Sequence, residues 1–338
     1  MVTQEIPTRP EPPAPAPKGS GRKWALRLLL AVLIIAVLVV FAAIAFIWWT
    51  DSKIERIPAS ELASLETAVE GPRNFLIVGT DTRENLPDDF ENFGSFSGSR
   101  TDVIMLVHFV PGEGAQLISI PRDLKVDFEG APTNRINTAY VQGGPDLLVT
   151  TVQDVTGVPI NHYIEIDFVG FAAVVDSLGG VELEFECAAR DSKSGLAVEA
   201  GTQVLNGEEA VAYVRSRRYQ ENCGGSWNTD GSGDIGRAER QQALLLAIFD
   251  QAASPSGAFN LPSFATTFAE QIRADQGLSS GVILDLGRSA LQMNRTDIQT
   301  AVLPVKNHSE DGRSYVIMIQ PDADDLLRAF RNGDPFPS

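Results

Sequence analysis

The longest apolar run in the chain extends from Leu28 to Trp49, 22 residues without a charge. At about 1.5 Å per helical residue it covers roughly 33 Å, the hydrocarbon thickness of a bilayer, and it predicts a transmembrane helix within residues 24–49. Lys18, Arg22, Lys23 and Arg27 precede the run and Asp51 follows it, so the positive-inside rule leaves the N-terminus in the cytoplasm and exports the rest. A cleaved signal peptide, processed near Ala43-Ile44-Ala45, is the competing reading. Residues 1–23 are rich in proline and small residues, show no apolar period, and predict a disordered tail.

Beyond the run, Ile54, Ile57, Leu62, Leu65 and Val69 give residues 50–70 a weak period that suits a stalk or short helix. From Pro72 the pattern becomes strand-like. Residues 75–78, 103–107, 116–120, 163–166 and 181–185 read as strands, and 301–303 and 315–319 as later ones. Between them Leu148, Val152 and Val155, then Phe168 to Leu178, carry a helical period, and further helices are expected near 238–253 and 322–330. Strands alternating with helices, several of them continuous apolar runs, predict an α/β domain over 71–338 with a sheet covered on both faces. Residues 254–296 read as a mobile insertion.

Charge narrows the possibilities. The chain carries −17 in total; its first 50 residues hold five bases and two acids, so residues 51–338 carry −20. A surface this acidic repels polyphosphate backbones and argues against nucleic-acid binding. Arginine nevertheless outnumbers lysine, 21 to 6, and its planar fork suits phosphate oxygens. The two cysteines, Cys187 and Cys223, lie in the exported part, where a bridge is permitted and buried free thiols are the alternative.

The chemistry gathers at two places. Strands 103–109 and 115–120 flank a turn-rich link, Val110 to Gly114, and pairing centred near Gly112 sets Asp102 opposite Arg122. Arg100 and Asp123 then join the same sheet edge, and Asp81 and Arg83 follow the strand ending at Val78, where ligands of open α/β sheets bind. Asp81 and Asp102 suit a hard cation such as Mg²⁺ that keeps several waters; a strand-end ion-pair ladder is the structural alternative. The second place is Arg215, Arg217 and Arg218, followed by Asp234, Arg237, Arg240 and Gln241 at a helix start, where the dipole favours anions. Other signatures fail. Gly231 to Gly236 fits G-x-G-x-x-G but follows no strand, P-loop and H-E-x-x-H motifs are absent, and His108, His162 and His308 lack ligand spacing.

Eight segments in order, Gly79-Thr80-Asp81-Thr82-Arg83, Arg100-Thr101-Asp102, Ser119 to Asp123, Arg135 to Tyr140, Leu178 to Val181, Leu205 to Gly207, Tyr213 to Arg217 and Asp234 to Gln242, resemble the motifs of the LytR-CpsA-Psr family across residues 74–250. That resemblance implies a three-layer α/β/α sandwich with a central mixed sheet. It also implies an enzyme that moves a glycopolymer from a polyprenyl-pyrophosphate carrier to peptidoglycan outside the membrane. Matched position by position, Asp81 and Asp102 correspond to metal-associated acids. Arg83, Arg100, Arg122, Arg215, Arg217, Arg237, Arg240 and Gln241 correspond to pyrophosphate contacts. Arg135, a further pyrophosphate contact on this resemblance, stands where lysine is common and keeps the charge, and the loop 219–233 is unusually long. On this reading Arg122 serves catalysis, with Asp123 and Asp234 as candidate bases; a pyrophosphatase and a non-catalytic envelope protein are the competing functions.

Overall fold

The computed structural model describes residues 42, 44–67, 71–81, 101–128, 131–290 and 292–337. Of the apolar run, residues 44–49 are helical and the remainder lies almost wholly outside the described residues. Among the described residues no helix is long and apolar enough to cross a membrane. Residues 50–338 form a compact unit of their own.

Its strands are, in chain order, β1 (Glu55–Arg56), β2 (Arg73–Thr80), β3 (Thr101–Val110), β4 (Gly114–Ser119), β5 (Lys125–Phe128), β6 (Ala131–Arg135), β7 (His162–Asp167), β8 (Val181–Phe185), β9 (Ala188–Asp191), β10 (Leu196–Val198), β11 (Gly201–Leu205), β12 (Gln220–Asn222), β13 (Asn228–Thr229), β14 (Ile272–Ala274), β15 (Ile298–Val302), β16 (Val305–Glu310) and β17 (Arg313–Met318). The helices are α1 (Thr138–Thr156), α2 (Phe168–Ser177), α3 (Gly207–Arg215), α4 (Gly233–Ala253), α5 (Pro255–Gln271), α6 (Ser280–Ala290) and α7 (Asp322–Asn332). Seven strands make the central mixed sheet in the order β1-β14-β7-β2-β3-β4-β15. Three of its adjacent pairs, β1 with β14, β7 with β2, and β4 with β15, are parallel; the others are antiparallel.

Successive side chains on a strand point to opposite faces, and here both faces are covered. Leu76, Val78, Ile104, Leu106 and Ile118 pack with Leu148 and Val152 of α1 and Leu326, Leu327 and Phe330 of α7. Phe75, Phe109 and Ile164 pack with Ala269 of α5 and with Val282, Ile283 and Leu286 of α6. A second core joins α3, α4 and β8 to β11 around Phe185, Leu196, Leu205, Tyr213 and Leu244.

Two expectations change. The segment read as a stalk is part of the domain, because Ile54, Ile57 and Leu62 are buried and β1 adds a strand beside β14. The segment 254–296 is no insertion: it supplies α5, α6 and β14, and β14 extends the central sheet from β7.

Close packing fixes α2 against α3. A Cβ placed on Gly207 would lie 2.3 Å from the Ala172 carbonyl oxygen, a backbone atom that cannot swing aside. Gly207→Ala is therefore expected to destabilise the domain by about 1–3 kcal/mol, read as a lower urea midpoint at unchanged slope. An unaltered midpoint would show that the helices separate freely.

Cys187 and Cys223 form a disulfide, with Cα atoms 4.9 Å apart. It joins the ends of β9 and β12, where Ala188 and Asn222 are paired. Serine at both positions is expected to cost about 3–4 kcal/mol, since the bridge closes a loop of 36 residues. Equal denaturation midpoints for the two proteins would contradict this.

Candidate functional site

The predicted hairpin register holds. Met105 pairs with Ser119 and Phe109 with Ala115, and continuing that register past the ladder sets Asp102 opposite Arg122. The two side chains form an ion pair, Arg122 Nη1 to Asp102 Oδ1. One strand over, Thr80 pairs with Thr101, so Asp81 and Asp102 each follow a paired residue or sit in the adjoining bulge, at the same sheet edge.

Next to this edge lies a cavity of about 530 Å³. Asp102 and Arg122 line it from the sheet, Phe168 from the start of α2, Val214, Arg215, Arg217 and Arg218 from the end of α3, and Gly233, Asp234, Arg237 and Gln241 from the first turns of α4. Lys193 and Ser194, in the β9–β10 turn, close its rim. The lining carries six cationic side chains, Arg122, Lys193, Arg215, Arg217, Arg218 and Arg237, against three acids, Asp102, Asp191 and Asp234. A cationic surplus inside a chain of −17 selects an anion.

Four of these cations, Arg122, Arg215, Arg217 and Arg237, are held by a side-chain partner. Asp234 accepts from Arg217 through both oxygens, at 2.9 and 3.1 Å, and forms an ion pair with Arg237 at 2.9 Å. Burial raises the Asp234 pKa, but Arg237, Arg217 and Arg122 outweigh it and hold the carboxyl below its ordinary range. A carboxylate so bound anchors both arginines. Arg237 is 5% exposed, and burial together with nearby Arg122 lowers its pKa to about 10. It stays charged at neutral pH, yet its environment is short of negative charge. Arg122 shows the same shortage in its hydrogen bonding: its Nε is buried and has no hydrogen-bond partner among the described residues. The Arg215 guanidinium stands 5.3 Å from the centre of the Phe168 ring.

Asp191 organises the far wall. It is 1% exposed and accepts from Ser216 Oγ at 2.8 Å and from the backbone N–H of Lys193, Arg217 and Arg218 at 2.8, 2.9 and 2.8 Å. These bonds hold the chain where α3 ends, so that the residues from Arg215 to Arg218 leave the helix along the cavity. On the opposite side Gln242 Nε2 donates to Ser119 Oγ at 2.9 Å and to the Ala301 carbonyl at 2.6 Å, tying α4 to the strands that lead to Arg122.

Several predicted site residues sit elsewhere. Arg135 pairs with Asp123 at 3.4 Å and donates to the Ser314 carbonyl from Nε and Nη2, so neither Arg135 nor Asp123 lines the cavity. Arg240 shares a helix face with Arg237, yet it is drawn behind the wall by Asp230 at 3.0 Å and the Ser216 carbonyl at 2.7 Å, over the Tyr219 ring. Gln241 lines the cavity and donates to the Val214 carbonyl at 3.3 Å. Arg83 and Arg100 lie outside the described residues. Lys193, Ser194 and Asp191 were not predicted as site residues, because a strand-end acid followed by a polar turn carries no pattern that marks a site.

The profile of the LytR_cpsA_psr family matches residues 50–332. The chain belongs to this family. Among LytR_cpsA_psr relatives, it is 32% identical over 291 residues to the probable cell wall biosynthesis protein LcpB of Corynebacterium glutamicum, a match covering 84% of this chain and 66% of that one. It is 31% identical to the polyisoprenyl-teichoic acid–peptidoglycan teichoic acid transferase TagU of Halalkalibacterium halodurans, covering 63% and 64% of the two chains. The matched segment thus spans about two thirds of the length of each relative. Among solved structures, a LytR-Csp2A-Psr enzyme from Actinomyces oris superposes with a TM-score of 0.64 at 31% identity, covering 82% of this chain and 95% of that one.

Proposed function

We propose that the chain transfers a glycopolymer from a polyprenyl-pyrophosphate carrier to peptidoglycan, joining the sugar-side phosphorus to a muramic acid 6-hydroxyl. The observation that carries this reading is the cavity in which six cations face three acids, with the Arg122 Nε buried and without a hydrogen-bond partner among the described residues. Membership of a family whose relatives include a teichoic acid transferase supports the direction of the reaction.

The chemistry asked of the protein is modest. The hydroxyl oxygen forms a bond to phosphorus and gives its proton to water, the bond from that phosphorus to the bridging oxygen of polyprenyl phosphate breaks, and negative charge grows on the leaving phosphate. Arg122, Arg217 and Arg237, already oriented by Asp102 and Asp234, meet that charge without reorganising, which is where most of the rate of such a reaction arises. Positioning both substrates in one cavity supplies the rest.

Asp81 and Asp102 are the residues that would hold Mg²⁺, which when bound neutralises phosphate oxygens. Among the described residues no group of three or more His, Cys, Asp or Glu side chains could hold a metal. Two carboxylates at one sheet edge fit the Mg²⁺ mode in which water and substrate phosphate complete the shell. EDTA is expected to lower transfer about tenfold or more, with recovery on adding Mg²⁺; full transfer in EDTA would remove the metal from the account.

The apolar run Leu28–Trp49 supports a single-pass anchor with the domain outside the cell, which raises the effective concentration of a membrane-held donor. Mass spectrometry of lipid extracted with the full chain from its native membrane tests the reading. Polyprenyl phosphates are the expected finding; phospholipid alone, with no isoprenoid phosphate, would contradict it.

A further inference from the structure

The four-stranded sheet β10-β9-β12-β13 stands beside the cavity, and its outer face carries side chains that the transfer step leaves unused. Arg190 of β9, Gln220 of β12 and Thr229 of β13 are aligned across three strands. Arg190 Nε donates to Gln220 Oε1 at 3.0 Å, and its guanidinium lies 4.0 Å from the centre of the Trp227 ring in the β12–β13 turn. Arg190 and Thr229 are exposed, whereas Ala189 and Asp191, on either side of Arg190, are buried. Alternation along β9 explains the division: Asp191 turns to the cavity wall and Arg190 to the opposite face.

We propose that this row is a glycan subsite for the sugar chain of the donor, an inference that rests on the transfer reading above. Three observations select a saccharide. The Arg190 guanidinium covers one face of the Trp227 indole, the polarised C–H edge of a sugar ring would pack on the other, and the planar amide and guanidinium suit paired hydroxyls. The row has the extent for more than one sugar, since three strands at about 4.8 Å spacing cover roughly 10 Å. It adjoins the cavity along the chain: Asp191, Lys193 and Ser194 line the cavity, and Arg190, the residue before them on β9, faces the other side of the strand. The Cys187–Cys223 disulfide pins the ends of β9 and β12, so the subsite is ordered before the glycan arrives and less entropy is lost on binding.

Fluorescence tests this directly. Replacing Trp24, Trp48 and Trp49 by phenylalanine in the full chain leaves Trp227 as the sole tryptophan. The probe is glycopolymer released by mild acid from the wall of the organism that encodes the chain, with soluble muropeptide as the second arm. The released glycopolymer is expected to change Trp227 emission saturably, and Arg190→Ala to weaken that binding about tenfold. In the otherwise native chain, Trp227→Ala and Arg190→Gln are expected to lower the ratio of kcat/KM for a polymer-bearing donor over a single-sugar donor by about tenfold. Should Trp227→Ala fail to fold, Arg190→Gln decides.

Emission that ignores the glycopolymer, answers it equally in Arg190→Ala, or answers muropeptide alone would overturn the subsite, as would an unchanged donor ratio. The two readings separate cleanly. Turnover of both donors at an unchanged ratio refutes the subsite and keeps the transfer reading. Saturable, Arg190-dependent emission with neither donor turned over refutes the transfer reading and keeps a glycan site.

Discussion

Replacing Arg122 by alanine is expected to lower kcat/KM for glycan transfer by about 10²–10³-fold, the usual cost of losing one preorganised donor to a developing oxyanion. The side chain is fixed by its hairpin register, paired with Asp102, and half-buried, with its buried Nε lacking a hydrogen-bond partner among the described residues. That donor is oriented before substrate arrives and its desolvation is uncompensated until a phosphate oxygen binds. Burial lowers the Arg122 pKa, but Asp102 and Asp123 outweigh it and keep the group firmly cationic. Arg122→Lys retains the charge and loses the planar fork, so it should recover only part of the rate. Steady-state kinetics on lipid-linked donor, with melting curves to confirm folding, check this. A folded Arg122→Ala protein with wild-type kcat/KM would remove the arginine from the site.

The second large effect is expected at Asp191. Alanine there strands the Ser216 hydroxyl and three backbone N–H groups around a side chain that is 1% exposed. At about 1–3 kcal/mol for an unsatisfied buried group, with partial relief from water, the loss should be about 4 kcal/mol. Urea denaturation measures it. Transfer should fall further than folding does, because the same bonds place Arg217 and Arg218 at the cavity.

Asp191 also gives this loss a pH dependence. Burial raises its pKa, but the N–H groups of Arg218, Lys193 and Arg217 and the Ser216 hydroxyl together hold it below the ordinary carboxylate value. A carboxyl whose pKa is lower folded than unfolded stabilises the fold fully above the unfolded value, about 3.9, and loses that contribution as pH falls through the folded one. The stability gap between wild type and Asp191→Asn should therefore be largest near neutral pH and shrink below pH 4. A gap that widened on acidification would contradict the assignment.

The sequence made the centre of the site legible and its edges opaque, for physical reasons. Asp102 and Arg122 were paired correctly because a hairpin turn fixes register, and register fixes partners twenty residues apart. The long strands and helices were visible because each buries a periodic apolar face. By contrast, β1 and β14 have two and three residues, too few for a period, and owe their place to pairing between segments more than two hundred residues apart. Helical spacing put Arg237 and Arg240 on one face, yet it could not show that Asp230, on the long loop, would capture the second. Likewise nothing local indicated that Arg135 would turn to Asp123 and the Ser314 carbonyl. Asp191 went unnoticed because a lone strand-end acid carries no pattern; its meaning comes from the four donors that converge on it.

The central claim is that the cationic cavity passes a phosphorus atom, with its glycan, to peptidoglycan. Isotopic labelling of the sugar-side phosphorus of a polyprenyl-pyrophosphoryl glycan, incubated with the full chain and peptidoglycan fragments, follows that atom directly. The account predicts that the label appears in a phosphodiester on the fragments, and that Arg122→Ala prevents it. Label recovered only as free sugar phosphate, or left on the lipid, would contradict it.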